Sequence, residues 1–373
     1  MINYGRHSIN DSDISAVEKV LKSDWLSTGP IVEEFESALE NTIGAQCIAV
    51  SSGTAALHCA YAALELEPGD EIITPPITFI ATQATAAFFG AKIVFADIQA
   101  DTANIDPMAV AAAITSKTKA IVAVDFAGHP ADLDELRSIA DKYKVYLIED
   151  ASHSLGSTYK DRQVGSIADL TTFSFYPTKN IATGEGGAVA SVHSDLLEKA
   201  KKFSRQGLIR NSDEFLIKNE GPWHQEVHKF GLNYRLPDIL CALGVSQLKR
   251  LSKFKLERSQ IFSQYENLLV DVEGIELPKK RNYTDPMWHL FAVKVDSKIR
   301  KELFQFLHDN RYKVQVNYLP AHLHPVFSNS QNRLGEFPNS ESFYQREISL
   351  PIYAGLSEAH VERISELVKI FLE

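Results

Sequence analysis

The chain has 373 residues, 45% hydrophobic and 23% charged, and a formal net charge of −10. That balance is ordinary for a globular protein and leaves out disordered and collagen-like chains, while the acidic excess argues against a nucleic-acid partner, which draws a basic face. No run of about eighteen apolar residues suggests a membrane span, and the N-terminal MINYGRHSINDSD has no signal-peptide core, so the cytoplasm is the expected location.

The length allows one large domain and a smaller one. From about residue 46 to 191, apolar runs of strand length alternate with helix-period segments. CIAVSS leads to the Ala-rich GTAALHCAYAALEL, EIITPP to TFIATQATAAFF, AKIVFADI to DPMAVAAAI, and AIVAVDF to DLDELRSIADKY, before VYLIEDA. Strands this uniformly apolar are buried on both faces, which predicts a wound, mainly parallel α/β sheet. DLTTFSFY and GGAVAS are expected to extend it.

After about residue 240 the pattern changes. CALGVSQLKRLSKFKLERSQIFSQYENLL reads as one long helical stretch, followed by the strand WHLFAVKV, the helix SKIRKELFQFLHDN and the strand VQVNYLP, a smaller α+β unit. Residues 209–228 mix Gly, Pro and charge without a period, and a long loop of this kind inside a compact domain is usually functional or mobile. Cys47, Cys59 and Cys241 are scattered and odd in number, which fits reduced, buried thiols and neither a disulfide frame nor a zinc site.

In open α/β sheets ligands collect at the carboxyl ends of the strands. Those ends hold Gly53-Thr54-Ala55 at a helix start, Phe79, Asp150 with His153, and Ser174 followed by Lys179. Singly each has a bland reading: SGTAAL as an ordinary helix cap, Asp150 as another, His153 as a satisfied polar residue, Lys179 as a solvated surface lysine. Together they describe one chemistry. A helix N-terminus holds a phosphate, an aromatic covers a ring, a carboxylate keeps a ring nitrogen protonated, and a lysine forms an imine. That is a site for pyridoxal 5'-phosphate (PLP).

In SSGTAAL, TPPITFIAT, EDASHSLGS, FSFYPTKNIATGEGG and GLNYRLPDILCALG the chain resembles the nucleotide-sugar aminotransferases of fold type I. Those stretches fall in family order across roughly the first 245 residues. DWLSTG, SHSLGS, QVNYLP and EISLPIY bring it nearest to the subgroup that aminates UDP-4-keto-6-deoxy-N-acetyl-L-altrosamine-type sugars in pseudaminic acid biosynthesis. The resemblance implies a PLP-binding α/β domain with an N-terminal arm over residues 1–245 and a small α+β domain over 246–373. It makes Lys179 the imine-forming residue, Asp150 the partner of the pyridine nitrogen and His153 a neighbour of the 3-oxygen. Thr54, Ala55 and Ser174 would hold the phosphate and Phe79 would stack on the ring. Asn233 would reach the phosphate bound to a partner subunit, so a homodimer with a shared site is implied. Tyr4, Leu26, Ser27, Thr28, Gly29, Asn317 and Tyr318 would touch the nucleotide sugar.

L-Glutamate is the implied amino donor and a UDP-ketosugar the acceptor, with no metal. An acidic protein must place local cations for a diphosphate and a donor carboxylate; Arg205, Arg210 and Arg235 are candidates, each equally readable as a surface residue. Many relatives have His where Gln206 stands, so the sugar side of the site is expected to differ. Other UDP- or dTDP-ketosugars, a non-catalytic PLP-binding protein, and a PLP-dependent sugar dehydratase, in which His replaces the lysine, are the rival readings.

Overall fold

The computed structural model describes residues 1–218, 220–327 and 334–373. Helix α1 (Asp11–Leu21) starts at a reciprocal cap, in which Asn10 Oδ1 accepts from the Asp13 amide at 3.1 Å and Asp13 Oδ2 from the Asn10 amide at 3.0 Å. Helix α2 (Pro30–Ile43) begins on a proline, which has no N–H to leave unpaired, and stops at Gly44 in the left-handed conformation.

The main sheet then forms from β1 (Gln46–Val50), β2 (Glu71–Thr74), β3 (Lys92–Phe95), β4 (Thr118–Val124), β5 (Tyr146–Asp150), β6 (Leu170–Ser174) and β7 (Gly187–Ser191). Their order is β1-β7-β6-β5-β4-β2-β3. Strands β2 to β6 pair in parallel, whereas β7 runs antiparallel to both β6 and β1. The last two strands join this sheet as expected, and their place in it is between β5 and β1. The chain turns back through residues 175–186, closed by the Phe175 amide on Gly186 O at 2.8 Å, so β7 returns beside β6 and separates it from β1. Helices α3 (Gly53–Ala63), α4 (Ala81–Ala87), α5 (Pro107–Ala113) and α6 (Leu133–Tyr143) connect the parallel strands.

Beyond α7 (Ser194–Ser204), the expected long helix is two: α8 (Asp238–Leu248) and α9 (Leu251–Leu269). Arg250 takes a non-helical conformation at the break, and its guanidinium reaches Ser8 O and pairs with Asp13. The two helices also serve different cores. Helix α8 packs on α1 and α2, and α9 packs on the C-terminal helix α10 (Glu358–Leu372). The second core is built on β8 (Ile275–Glu276), β9 (Phe291–Val295) and β10 (Glu347–Leu350), with Phe262 stacked on Trp288 at 3.8 Å between centroids.

VQVNYLP does not form the expected strand. One bridge, Gln315 to Ser349, joins it to β10, because the Asn317 amide is given to the Glu347 carboxylate at 2.8 Å instead of a strand carbonyl. Within residues 209–228, a two-residue ladder pairs Leu208–Ile209 with Glu226–Val227. The Glu226 carboxylate gathers the Leu216 and Ile217 amides and the His224 and His228 rings.

Candidate active site

A cavity of about 660 Å³ opens at the carboxyl ends of β1, β5 and β6 and is closed on the other side by His289, Leu290 and residues 315–318 from the C-terminal part. Asp150, buried at the end of β5, is held by three donors. Thr82 Oγ1 donates to Oδ2 at 2.9 Å, and the Ser152 hydroxyl and amide donate to Oδ1 at 2.6 and 3.2 Å. A carboxylate so fixed keeps one orientation toward the cavity.

Lys179 stands on the turn after β6, its amide bonded to Tyr176 O at 2.8 Å. Its neighbour Asn180 donates to His153 O at 2.7 Å and Leu155 O at 3.3 Å, so the lysine turn and the Asp150–His153 turn are tied together. Burial pulls the Lys179 amine down to about 8, against the attraction of Asp150, which favours the charged form. A half-buried, desolvated amine near neutrality is a nucleophile and a proton carrier, unlike a solvated lysine.

At the opposite end, α3 begins with Ser52 Oγ accepting from the Ala55 amide at 3.0 Å. Ala55, expected to hold the phosphate, does not line the cavity, and its N–H is given to Ser52 Oγ. The amides of Gly53 and Thr54 have no intrahelical partner, as the first positions of a helix must, and both residues line the cavity together with Ser174. A Cβ at Gly53 would lie 2.8 Å from Ser174 Cβ and 3.0 Å from its Oγ, so only glycine allows this approach. Free N–H groups, a helix dipole and two hydroxyls fit a phosphate dianion. The cradle, the carboxylate and the lysine all line one cavity and suit PLP.

His153 and His289 pack with their rings tilted by 34° at 4.2 Å between centroids, and His153 Nε2 lies 3.4 Å from Tyr318 Oη. Burial, and then the Lys179 charge, holds His153 well below the usual histidine range; burial does the same for His289, so both rings are neutral. Phe79 is 59% exposed and meets Tyr318 edge-on at 6.2 Å. Tyr4 lines the cavity, and Asn317 is fixed by Nδ2 donating to Ser349 Oγ at 2.9 Å. Thr82, Ser152 and His289 escaped the sequence reading. Thr82 sits in an Ala-rich helix where a threonine carries no signal, and His289 comes from the other core.

The remaining expected residues lie elsewhere. Thr28, Arg205, Arg210 and Arg235 line a second cleft of about 550 Å³ with Lys201 and Lys202. Gln206 is there too, its Oε1 accepting from Arg235 Nη1 at 2.8 Å. Asn233 is exposed and bridges to Arg205. Leu26 and Ser27 are exposed on the turn before α2, and the Gly29 amide is given to Asp238 Oδ2 at 2.7 Å. In one chain, none of these touches the first cavity.

Residues 7–369 match the model of the DegT/DnrJ/EryC1/StrS aminotransferase family. The chain belongs to this family. It is 38% identical over 377 residues, 98% of its length and 96% of the relative's, to the spore coat polysaccharide biosynthesis protein SpsC of Bacillus subtilis. It is 36% identical over 383 residues, 100% and 98%, to the UDP-4-amino-4,6-dideoxy-N-acetyl-beta-L-altrosamine transaminase of Campylobacter jejuni. Among solved structures, Spr1654 of Streptococcus pneumoniae in its PMP form superposes with a TM-score of 0.94 at 29% identity, covering 100% and 99% of the two chains. Helicobacter pylori PseC, an aminotransferase involved in pseudaminic acid biosynthesis, does so with 0.92 at 32%, covering 98% and 97%. The fold is that of the PLP-dependent sugar aminotransferases and the cofactor is PLP.

Proposed function

We propose that the protein transfers the amino group of L-glutamate to C4 of a UDP-linked 4-keto-6-deoxy-N-acetylhexosamine, as in pseudaminic acid biosynthesis. The observation that carries amino transfer at this site is the desolvated Lys179 amine in one cavity with the triply held Asp150. The sugar class rests on the likeness to the C. jejuni and H. pylori proteins and on Tyr4, Asn317 and Tyr318 lining that cavity.

When bound, PLP supplies an electron sink for the carbon that bears the amino group. Asp150 keeps the ring nitrogen protonated, because an opposite charge favours the charged form. Gly53, Thr54 and Ser174 anchor the phosphate. Lys179 Nζ takes the proton from the donor Cα and returns one on the other side of the transfer, as base and then acid. His153, uncharged, serves the 3-oxygen without repelling Lys179.

The working unit we propose is a homodimer with shared sites. Among the described residues the charged side chains lining the cavity are Asp150, Lys179 and Glu185, and no arginine lines it. A cofactor phosphate, a sugar diphosphate and a donor dicarboxylate need more cation than that. Lys201, Lys202, Arg205, Arg210 and Arg235 offer it in the second cleft, and Phe230 (95% exposed), Trp223 and Phe88 offer apolar surface for a second copy. In the dimer, each copy's cleft and Asn233 complete the other's cavity.

A panel of UDP- and dTDP-linked 4-ketosugars, assayed with glutamate, tests the substrate. The UDP-linked N-acetylated 4-keto-6-deoxy sugar should give the highest kcat/KM. The likeness to SpsC favours a second reading, in which another UDP- or dTDP-ketosugar leads the panel.

A further inference from the structure

Residues 315–318 form one wall of the cavity, and β10 holds them with two side chains that have no part in the proposed transfer. Glu347 and Ser349 project from one face of that strand, as alternate residues do, and neither has exposed surface. Gln315 and Ser349 exchange backbone hydrogen bonds at 2.8 and 3.3 Å, and the pairing ends there. Side chains take over. The Asn317 amide donates to Glu347 Oε2 at 2.8 Å, Asn317 Nδ2 to Ser349 Oγ at 2.9 Å, and Ser349 Oγ to Glu347 Oε1 at 2.5 Å. Among the described residues no group donates to Asn317 Oδ1. It is not one of the enclosed atoms left unpaired either, so it keeps surface on the cavity that Asn317 lines.

The direction of this relay follows from what each member can donate. An ionised carboxylate only accepts, so Ser349 gives it the hydroxyl proton and must itself accept from Asn317. That turns the NH2 end of the Asn317 amide to Ser349 and leaves the oxygen for the cavity. A proton on Glu347 Oε1 reverses each link: the carboxyl donates to Ser349, Ser349 donates to Asn317, and the NH2 turns to the cavity. The 2.5 Å contact is the length of a hydroxyl on an ionised carboxylate, so the structure holds the first setting. Burial pushes Glu347 up to about 8, opposed by the Ser349 hydroxyl, the Asn317 amide and Arg300, so the second setting takes over as pH falls through that value. Lys294, the register partner on β9, gives its amine to Glu276 and Ala100 O. Arg346 also pairs with Glu276, and burial keeps the Tyr318 phenol neutral.

We propose that Glu347 and Ser349 are positioning residues that set which end of the Asn317 amide meets the acceptor sugar: the oxygen while Glu347 is ionised, the NH2 once it is protonated. The inference rests on the proposed nucleotide sugar reaching this wall. With Glu347 ionised, Asn317 Oδ1 takes an N–H donor, which the acetamido group of an N-acetylated sugar offers. A hydroxyl in the same place both donates and accepts, so it fits either setting. The relay therefore favours the acetamido sugar over its hydroxyl counterpart, and only while Glu347 is ionised.

The test compares two UDP-linked 4-keto-6-deoxy sugars, one with an acetamido group at C2 and one with a hydroxyl there. With PLP-loaded enzyme and saturating glutamate, kcat/KM is measured for each from about pH 6.5 to about pH 9.5, a range that brackets the Glu347 change. The ratio of the two values cancels any effect of pH on Lys179 or on the glutamate half-reaction. In wild type the acetamido-to-hydroxyl ratio should rise about tenfold with pH, as a matched hydrogen bond replaces two opposed donors. The rise should follow the loss of a protonated-carboxyl infrared band that Glu347→Gln lacks. Glu347→Gln, whose NH2 donates to Ser349 as the protonated acid does, should hold the low ratio at every pH. Ser349→Ala, which cuts the relay, should make the ratio independent of pH while the band still titrates. The wild-type profile decides the matter even where a variant fails to fold. A flat wild-type ratio, or one that changes equally in Glu347→Gln, would overturn the relay and leave the proposed function standing. If neither sugar is aminated, the proposed function fails and this inference with it.

Discussion

Thr82 Oγ1 donates to Asp150 Oδ2 at 2.9 Å, joining α4 to the end of β5 across 68 residues. Thr78 and Thr82 share a second hydroxyl contact at 2.9 Å, so the donor is itself held in place. Thr82→Val keeps the shape and removes the donor. A hydrogen bond to a buried carboxylate contributes about 1.5–3 kcal/mol, so kcat should fall about ten- to hundredfold. Asp150→Asn should cost at least about a hundredfold, roughly 2.7 kcal/mol of barrier. Unchanged kcat in Thr82→Val would mean that Ser152 alone orients the carboxylate.

The lowered Lys179 amine, about 8, makes a prediction for cofactor-free protein. The unfolded chain keeps this proton to about pH 10.4, so between about 8 and 10 the unfolded state binds more protons and stability rises with pH. The penalty is full below 8 and fades above it. Lys179→Met removes it, so thermal melts should show the variant more stable than wild type at about pH 7 and the gap shrinking by about pH 9.5. A gap that does not change with pH would show that methionine gains by packing alone.

Gly53→Ala places a methyl 2.8 Å from Ser174 Cβ, and the helix start must move away. The free amides then leave the phosphate position. PLP affinity, measured by titration of cofactor-free protein, should drop about tenfold or more, one or two hydrogen bonds to a charged group being lost. Wild-type affinity in this variant would put the phosphate elsewhere.

The residues that line the cavity were legible because a parallel sheet collects its ligands at strand ends, and Thr54, Asp150, Ser174 and Lys179 each follow an apolar run. What holds them was not. Thr82, Ser152 and Asn180 act through contacts set by the third dimension, and His289 reaches the cavity only because Trp288 anchors in the second core. The break after α8 carries no glycine or proline; Arg250 makes it by leaving the helix for Ser8 and Asp13. The insertion of β7 into the sheet depends on which neighbour it pairs with, which an apolar run of five residues does not encode.

The proposed shared site predicts complementation. Lys179→Ala and Asn233→Ala chains, each inactive alone, form heterodimers on exchange with one site carrying both lesions and one carrying neither. Activity should reappear as chains exchange. A mixture no more active than its components, despite proven exchange, would mean that Asn233 serves its own subunit.

The most direct test of amino transfer to a sugar follows the nitrogen. Enzyme loaded with PLP is given 15N-glutamate and a UDP-4-keto-6-deoxy-N-acetylhexosamine, and the nucleotide sugar is analysed by mass spectrometry beside the Lys179→Ala protein. The label should appear in the sugar made by wild type and be missing with Lys179→Ala, while borohydride reduction fixes the cofactor on the peptide containing Lys179. Label passing to pyruvate or oxaloacetate but to no nucleotide ketosugar, or cofactor fixed on another lysine, would contradict the account.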